Sequence, residues 1–565
     1  MSANIAVAID YTFDDSAKVW IRNDRKDFKY SDGDNVEMAI GNMLRSVNDS
    51  SEFSDQLKSL QINWPTVYYF SANRANILRP MRDSIAGARV LELGCGMGAI
   101  TRFLGENAGE VIAVEGSLRR GGVAALRCKD LKNVHVVIDE IKSLPASLGK
   151  FDVVTLIGVL EYACRYGGPG AEKAVLKIAR SFLKPGGFLV LAIENKLGLK
   201  YLGGVPEDHL QRSWVGVTNG YAANGVRTWS RRELLELLRE AGFASCEQFV
   251  ALPDYKLPQT LITPHGLRAG ASRLDLAPFL NNSTRLFEPA PLFNAGEAWE
   301  SVYKAGLLPD LADSLCFVAG GEKDLKSPFN PEDLVLHYGD FSSLPQKFAK
   351  VVKIVERDGE IQVTRQKLVT SPAREADKFY QVLNDEPYYS GELLFSRIRK
   401  IAMRPDWTLE EFFSALTPWV NILKENADAD FLCDGALMDL TPFNIIMDEN
   451  NAPRPFDLEW ASRERLPLTY ILYRGLYHTI TKIQGLCKSS RHQTDTFSAL
   501  FKAFVNSLHL PASLPTSGDY LWWRENKFMQ FIKNNKNYTM PKDLKIPYMP
   551  DPYGRKQPRP QPGDA

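Results

Sequence analysis

Between Arg89 and Gly242 the apolar and polar positions change period repeatedly. Mostly apolar runs, "ARVLELG", "EVIAVEGS", "VHVVID", "FDVVTLIGVLEY" and "GGFLVLAIEN", alternate with stretches whose apolar residues recur every three or four places. The latter are "GAITRFLGEN", "RRGGVAALRCKDL" and "AEKAVLKIARSFL". The first kind reads as buried strands and the second as amphipathic helices. Strands that alternate with helices pair in parallel, so the expected class is α/β, a doubly wound sheet. "SRRELLELLREAGF" adds a helix opened by Ser230, with Glu233 at its third position and Gly242 as its stop. "ADSLCFVAGG", ending near residue 320, reads as one more strand, at the closing edge of that sheet.

The flanking pattern differs. Residues 1–75 form a polar preface, with a strand or hairpin in "AKVWIRNDRKDFKY" and a helix in "VEMAIGNMLRSV". The stretch 251–310 is rich in Pro and poorly periodic. "SPFNPED" (327–333) carries two prolines and marks the expected domain boundary. Beyond it, "KFAKVVKIVERDGEIQVTRQKLV" is two strand-like runs joined at Asp358–Gly359, a hairpin signal. "SPAREADKFYQVL" and "TLEEFFSALTPWVNILKENA" read as helices, the second kinked at Pro418. The organisation predicted is a preface (1–75), an α/β domain (76–325), an α+β domain (330–540) and a flexible Pro-rich tail (541–565).

Composition changes this picture mainly by exclusion. At 565 residues the chain exceeds what one core usually serves. Apolar residues make 44% and charged residues 24%, ordinary for a soluble globular protein. Lys plus Arg and Asp plus Glu each number 68, so there is no global basic field and no nucleic-acid partner is expected. Seven cysteines without a CxxC pair predict reduced thiols rather than a disulfide framework or a zinc site. The start "MSANIAVAIDYTFDD" lacks the basic and apolar regions of a signal peptide. The longest apolar run, "VVTLIGVL", is far short of the roughly 20 residues that span a bilayer. The expectation is a cytoplasmic protein without a transmembrane segment.

Candidate chemistry begins at "VLELGCGMGAI", which sets Gly94, Gly96 and Gly98 between a strand and a helix. Glycines there let the backbone turn sharply and approach a ligand at the carboxyl end of the sheet; a dinucleotide-binding fold uses similar ones. Glu92 lies at the end of the first strand. Glu115 ends the second, where a carboxylate can accept from ribose hydroxyls, and Asp139 ends the third, where an acceptor can meet an adenine amine. With these residues, "VLELGCGMGAITRFLG", "VIAVEGS" and "LKPGGFLVLAIEN" resemble the class I S-adenosylmethionine-dependent methyltransferases, over about residues 75–320. The resemblance implies a Rossmann-like, seven-stranded sheet with a reversed last strand, S-adenosyl-L-methionine as cofactor, and methyl transfer. It implies that Gly94, Gly96 and Gly98 border the methionine part, with Glu92 and Cys95 among the cofactor contacts, Glu115 on the ribose and Asp139 by the adenine. Arg74, with Tyr69 in "YYFSANRANILRP", would cover the cofactor and pair with its carboxylate, or else belong to an ordinary packed helix start. On the acceptor side, "ENKLGLKYLGGVPEDHL" offers Glu194, Asn195 and His209. Asn195 and His209 are the catalytic candidates, His209 as a general base. The other reading of His209 is a loop histidine satisfied by neighbours such as Asp208.

A second constellation lies in "LMDLTPFNIIMDENNAPRPFDLEW" (437–460). Phosphoryl transfer needs a carboxylate to orient the nucleophile and oxygen ligands to hold magnesium. The run resembles the catalytic and metal loops of the aminoglycoside-phosphotransferase and protein-kinase-like superfamily, over about 330–535. That resemblance implies a two-lobed α+β domain using ATP and Mg2+, with Asp439 as base, Asn444 and Asp457 as metal ligands and Glu459 as an accessory. It makes Lys367 the strand lysine on the phosphates (Lys353 the alternative), Glu375 its helix partner and "EPYYSGELL" the hinge. Leu437 stands where the superfamily has His, and no glycine-rich phosphate loop is visible. The alternative is therefore a degenerate binding or regulatory module. The domain order resembles the bifunctional O-antigen methyltransferase–kinases, which implies a glycan or glycoconjugate acceptor and peripheral association with a polysaccharide-synthesis complex. Against it stands a small-molecule O- or N-methyltransferase acting alone.

Overall fold

A computed structural model describes residues 10–24, 30–31, 33–276, 279–280, 293, 295–341, 344–370, 377–483, 486–492, 494–511, 513–542, 544–546 and 548. Glu375, the first six residues of the "SPAREADKFYQVL" helix expectation and most of the Pro-rich tail lie outside the described residues. Apart from residues 292–294, two compact units part between Glu360 and Ile361.

The first unit is built on β1 (Tyr11–Asp14), β2 (Val19–Arg22), β3 (Arg89–Leu93), β4 (Glu110–Glu115), β5 (Val134–Ile138), β6 (Phe151–Ile157), β7 (Leu183–Glu194), β8 (Ser245–Leu252), β9 (Thr260–Ile262), β10 (Ser314–Gly320), β11 (Asp333–His337) and β12 (Lys350–Arg357). They lie side by side in the order β1-β2-β5-β4-β3-β6-β7-β10-β8-β9-β11-β12. β5, β4, β3, β6 and β7 are mutually parallel, as the strand–helix alternation requires. Their near-continuous apolar runs suit strands covered on both faces. Leu91, Ile112, Val154, Leu156, Leu189 and Leu191 form the centre of the core.

Helices α1 (Asp34–Ser46), α2 (Ala99–Asn107), α3 (Leu118–Arg127), α4 (Ala171–Ser181) and α5 (Arg231–Glu240) flank the sheet. α5 opens with the capping box read from the sequence: Ser230 and Glu233 satisfy each other's backbone donors.

Three expectations change here. β10 is not a closing edge: it runs antiparallel between β7 and β8, Cys316 facing both Ala192 and Phe249. All of its residues are buried, and a fully buried strand must find backbone partners on both sides. The preface is part of the sheet, because β2 pairs in parallel with β5, Trp20 opposite Val137. "SPFNPED" lies inside the first unit, since β11 starts at Asp333 and pairs with both β9 and β12.

The second unit contains β13 (Glu360–Lys367, apart from its first residue), β14 (Phe379–Gln381), β15 (Glu386–Pro387), β16 (Glu392–Leu393), β17 (Leu432–Cys433), β18 (Ile445–Met447), β19 (Pro453–Pro455), β20 (Trp460–Ser462) and β21 (Leu466–Pro467). These pair as β13–β15, β14–β20, β16–β18–β19 and β17–β21. Its helices are α6 (Leu394–Ala402), α7 (Leu409–Ala415), α8 (Thr417–Glu425), α9 (Leu468–Lys482), α10 (Phe497–Ser507) and α11 (Gly518–Ile532). The kinked helix expected at Pro418 is two helices, and Pro418 sits in the first turn of α8, where its missing N–H has no helical partner to lose. Phe379–Gln381, expected in a helix, is a strand because β20 supplies its backbone partners. No helix among the described residues is long and apolar enough to cross a membrane.

Candidate functional site

The loop from β3 to α2 carries Gly94, Gly96 and Gly98, all at positive φ. At Gly94 (φ +79°) a Cβ would meet Val159 at 2.4 Å, and at Gly98 (φ +84°) it would meet the Ala124 backbone at 2.9 Å. A side chain at either position is excluded by both conformation and space. Gly94 and Cys95 donate their N–H groups to the Val114 carbonyl, each at 2.9 Å, which ties the loop to the end of β4. Glu115, buried at that end, accepts from Gly96 N and Ser117 N, both at 2.9 Å. The Arg120 guanidinium lies 3.9 Å from its Oε2.

Glu92, Cys95 and Arg74 lie around the same loop. Burial pushes the Glu92 carboxyl up to about 7, and its Oε2 has no hydrogen-bond partner. Burial raises the Cys95 thiol well above its ordinary range, so it is unreactive, and it lines the recess beside Glu92. Arg74 stacks over Tyr68 and donates to Tyr68 Oη and to the carbonyls of Tyr255 and Lys256. Asp139 follows β5; its Oδ1 accepts from Glu140 N at 2.8 Å and its Oδ2 from Tyr11 Oη at 2.7 Å, with Arg22 at 3.3 Å. The preface thus reaches the residue expected beside an adenine. Gly94, Glu115, Asp139, Ile141, Val159 and Tyr162 line a cavity of about 450 Å³, within the range of small-molecule and cofactor sites. Its polar edges suit a group with hydroxyls at Glu115, and the unpartnered Glu92 oxygen in the adjoining recess suits an amine.

The acceptor-side candidates separate. Asn195 is spent on structure: its Nδ2 donates to the carbonyls of Asp310 and Ala312, both at 2.8 Å, and its Oδ1 accepts from Leu197 N. Both amide hydrogens are thereby taken by the backbone, which gives Asn195 a positioning part in place of the catalytic one expected. His209 is half-buried beside Glu194, Nε2 to Oε2 at 3.5 Å, with Nδ1 3.2 Å from Tyr162 Oη. Burial opposes its protonation, but the Glu194 charge outweighs it and raises the pKa to about 9. Set against Glu194 in this way, the imidazole is not the free general base expected of it. Asp208 is not its partner; it engages Lys200 and Tyr201. Burial works against ionised Glu194 as well, and Lys256 (2.7 Å) and His209 overcome it, holding the carboxyl well below its usual range. Burial, then repulsion from Glu194, pushes Glu161 up to about 8.

In the second unit, Asp439, Asn444 and Asp457 come together. The Asn444 amide donates to the Asp439 carbonyl at 2.9 Å and to the Asp457 carbonyl at 3.2 Å. Asp439 Oδ1 accepts from Arg474 at 2.9 Å and Oδ2 from Glu459 N at 3.1 Å. Asp457 takes φ +52°, a left-handed conformation that Asp tolerates better than most residues. Lys367 does not join them. It is exposed, while Arg365, two residues earlier on β13, donates to Asp457 Oδ1 at 3.1 Å and to Glu386. A side chain two places along a strand points the same way, so Arg365 holds the place expected of Lys367. Lys353 is committed to Asp333 in the first unit. Glu459 accepts from Gln381.

Arg474 also reaches Glu525, which is fully buried and accepts from Arg474 (2.5 Å), His478 (2.8 Å) and Tyr470 (2.8 Å). Burial opposes the Glu525 charge, and Arg474 prevails, lowering the carboxyl from 4.5 to about 2. A depressed carboxyl contributes stability above its unfolded pKa and loses it as pH falls toward the folded value. The urea midpoint of the second unit should therefore drop between pH 4.5 and 2, an effect of about 3 kcal/mol. Glu525→Gln should flatten that slope; an unchanged slope would remove Glu525 as its source.

Glu161, Lys256, Tyr255 and Arg365 were not singled out by sequence. Glu161 had a signal, since it follows the carboxyl end of β6. Lys256 and Tyr255 lie in the aperiodic Pro-rich stretch, where nothing marked them.

Residues 67–248 match a family profile described as a methyltransferase domain. The chain is 30% identical over 168 residues to a ubiquinone biosynthesis O-methyltransferase of Xanthomonas campestris pv. campestris, a match covering 28% of this chain and 68% of that relative. To a protein of the same description from Cereibacter sphaeroides it is 26% identical over 166 residues, covering 28% of this chain and 60% of that one. Among solved structures, the N-methyltransferase NodS from Bradyrhizobium japonicum WM9 in complex with S-adenosyl-L-homocysteine aligns at 18% identity. That alignment covers 39% of this chain and 90% of NodS with a TM-score of 0.26, a likeness that carries no argument about function.

Proposed function

Because this chain belongs to the class I S-adenosylmethionine-dependent methyltransferases through its residues 67–248, we propose that its first unit methylates an oxygen of a hydroxyl-bearing acceptor, a glycan or glycoconjugate. The observation that carries the cofactor half is the cradle of Gly94, Gly96 and Gly98 against Glu115, with Asp139 at the next strand end. S-adenosylmethionine, when bound, supplies an electrophilic methyl group on a sulfonium; the protein's part is orientation and exclusion of water. Glu92 would accept from the amine, Glu115 from the ribose hydroxyls, and Arg74 would stand near the carboxylate. The O-methyltransferase description of the relatives favours an oxygen acceptor, and Glu161, Glu194 and His209 lie at the adjoining strand ends, where such an acceptor would meet them.

For the second unit, we propose phosphate transfer from ATP to the same acceptor, with Asp439 orienting the hydroxyl and Asn444 and Asp457 holding Mg2+. What favours it is the Asn444 amide, which gathers the three residues. The rival reading, a binding or regulatory module attached to a small-molecule methyltransferase, draws on Arg365, whose guanidinium engages Asp457 directly. One experiment addresses both units: the full chain is incubated with Mg2+, ATP labelled at the γ-phosphate, S-adenosylmethionine labelled at the methyl, and a sugar-terminated acceptor. Both labels are expected in the acceptor. Methyl label without phosphate would leave the second unit as a module; neither label would overturn the glycan acceptor.

A further inference from the structure

At the carboxyl ends of β6 and β7, three side chains that can ligate a metal point at one another. Glu161 stands in a short turn after β6, Glu194 is the last residue of β7, and His209 comes from the loop that follows. Both glutamates are 1% exposed. One ligand atom from each of the three lies within 4.8 Å of the other two. Glu161 Oε2 is buried without a hydrogen-bond partner, and Glu194 Oε2 and His209 Nε2, also buried, face each other at 3.5 Å without a hydrogen bond.

That pattern is costly for a folded protein without a ligand. Buried polar atoms normally have at least one hydrogen-bond partner, and leaving one without costs about 1–3 kcal/mol. The surroundings settle which atoms face inward. On Glu194, Lys256 Nζ (2.7 Å) and Tyr255 Oη (3.2 Å) both take Oε1, so Oε2 is left toward His209 Nε2 at 3.5 Å. On His209, Nδ1 is engaged with Tyr162 Oη at 3.2 Å. A ligating imidazole typically carries such an outer partner on its second nitrogen, which fixes the tautomer and the ring.

The geometry points to a divalent metal ion held by Glu161, Glu194 and His209. Two carboxylates and an imidazole suit Mn2+, Zn2+ or Fe2+, at bond lengths of about 2.0–2.2 Å. Glu194 Oε2 and His209 Nε2, 3.5 Å apart, already lie within the span that two such bonds bridge. Three protein ligands leave coordination positions open, the arrangement of a catalytic rather than a structural site. Resting on the methyl-transfer reading, the open position would take the acceptor oxygen, lower its pKa and release its proton to solvent before methylation. The binding itself does not depend on that reading.

The test uses Mn2+ alone, followed by electron paramagnetic resonance on the full chain carrying Asp457→Asn, which removes the acidic cluster of the second unit as a competing site. One Mn2+ per chain is expected. Glu161→Gln and, separately, His209→Asn should each weaken it at least about tenfold. Calorimetry with S-adenosylhomocysteine on the same samples shows whether each variant is folded. No Mn2+ bound by the parent chain, or equal binding by folded Glu161→Gln and His209→Asn, overturns the site. Mn2+ bound as expected without any binding of S-adenosylhomocysteine by the parent keeps the metal site and removes the methyl-transfer reading. S-adenosylhomocysteine bound without Mn2+ does the reverse.

Discussion

Glu115→Ala should weaken binding of S-adenosylhomocysteine by about 100-fold or more, measured by calorimetry. Glu115 has two tasks that Ala cannot perform. Its oxygens hold Gly96 N and Ser117 N at 2.9 Å, which shapes the glycine loop, and the side chain lines the cavity where ribose hydroxyls would lie. Hydrogen bonds to a charged group contribute about 1.5–3 kcal/mol each, so losing two reaches 3 kcal/mol, more than a factor of 100. Glu115→Gln keeps the size and one acceptor and should fall between wild type and Ala. If Ala binds the ligand as wild type does while melting at the same temperature, the cofactor is elsewhere.

Asp439→Asn should reduce phosphate transfer by about a thousandfold if the second unit is a phosphotransferase, within the 10²–10⁴ that a positioned acid or base contributes. Asn preserves the shape, and its carbonyl oxygen can still accept from either Arg474 or Glu459 N, so the fold should survive. What disappears is the charge that orients the hydroxyl and accepts its proton. Labelled transfer from ATP, with nucleotide binding measured in parallel, separates the outcomes. Equal rates for wild type and Asn would remove Asp439 from the reaction. Unchanged nucleotide binding with lost transfer would place it at the acceptor.

Much of the first unit was legible in the chain. β3 to β7 and the helices between them follow from apolar period alone, since a strand covered on both faces and a helix covered on one have different spacings. Gly94, Gly96 and Gly98 were legible because few residues other than glycine accept that loop. Asp358–Gly359 was readable for the same reason: both residues take positive φ, +51° and +83°. The position of β10 was not legible, because its seven buried residues would look alike at an edge or inside; only pairing with β7 and β8 chose.

The site shows the same division more sharply. Residue type and strand-end position marked Glu92, Glu115, Asp139, Asp439, Asn444 and Asp457, because carboxylates and amides are what such chemistry needs. Partners were beyond reach. Asn195 looked catalytic until its amide was found on two carbonyls, and Lys367 looked like a phosphate ligand until Arg365 stood in its place. His209 reads as a free base in the sequence, whereas the fold sets it against Glu194, fifteen residues away along the chain. By itself the sequence determined the local periods, the turns only glycine permits and the kinds of group available. The tertiary structure alone decided which groups meet, which lone pairs remain and which charges are held, because those depend on burial and on contacts between residues far apart in the chain.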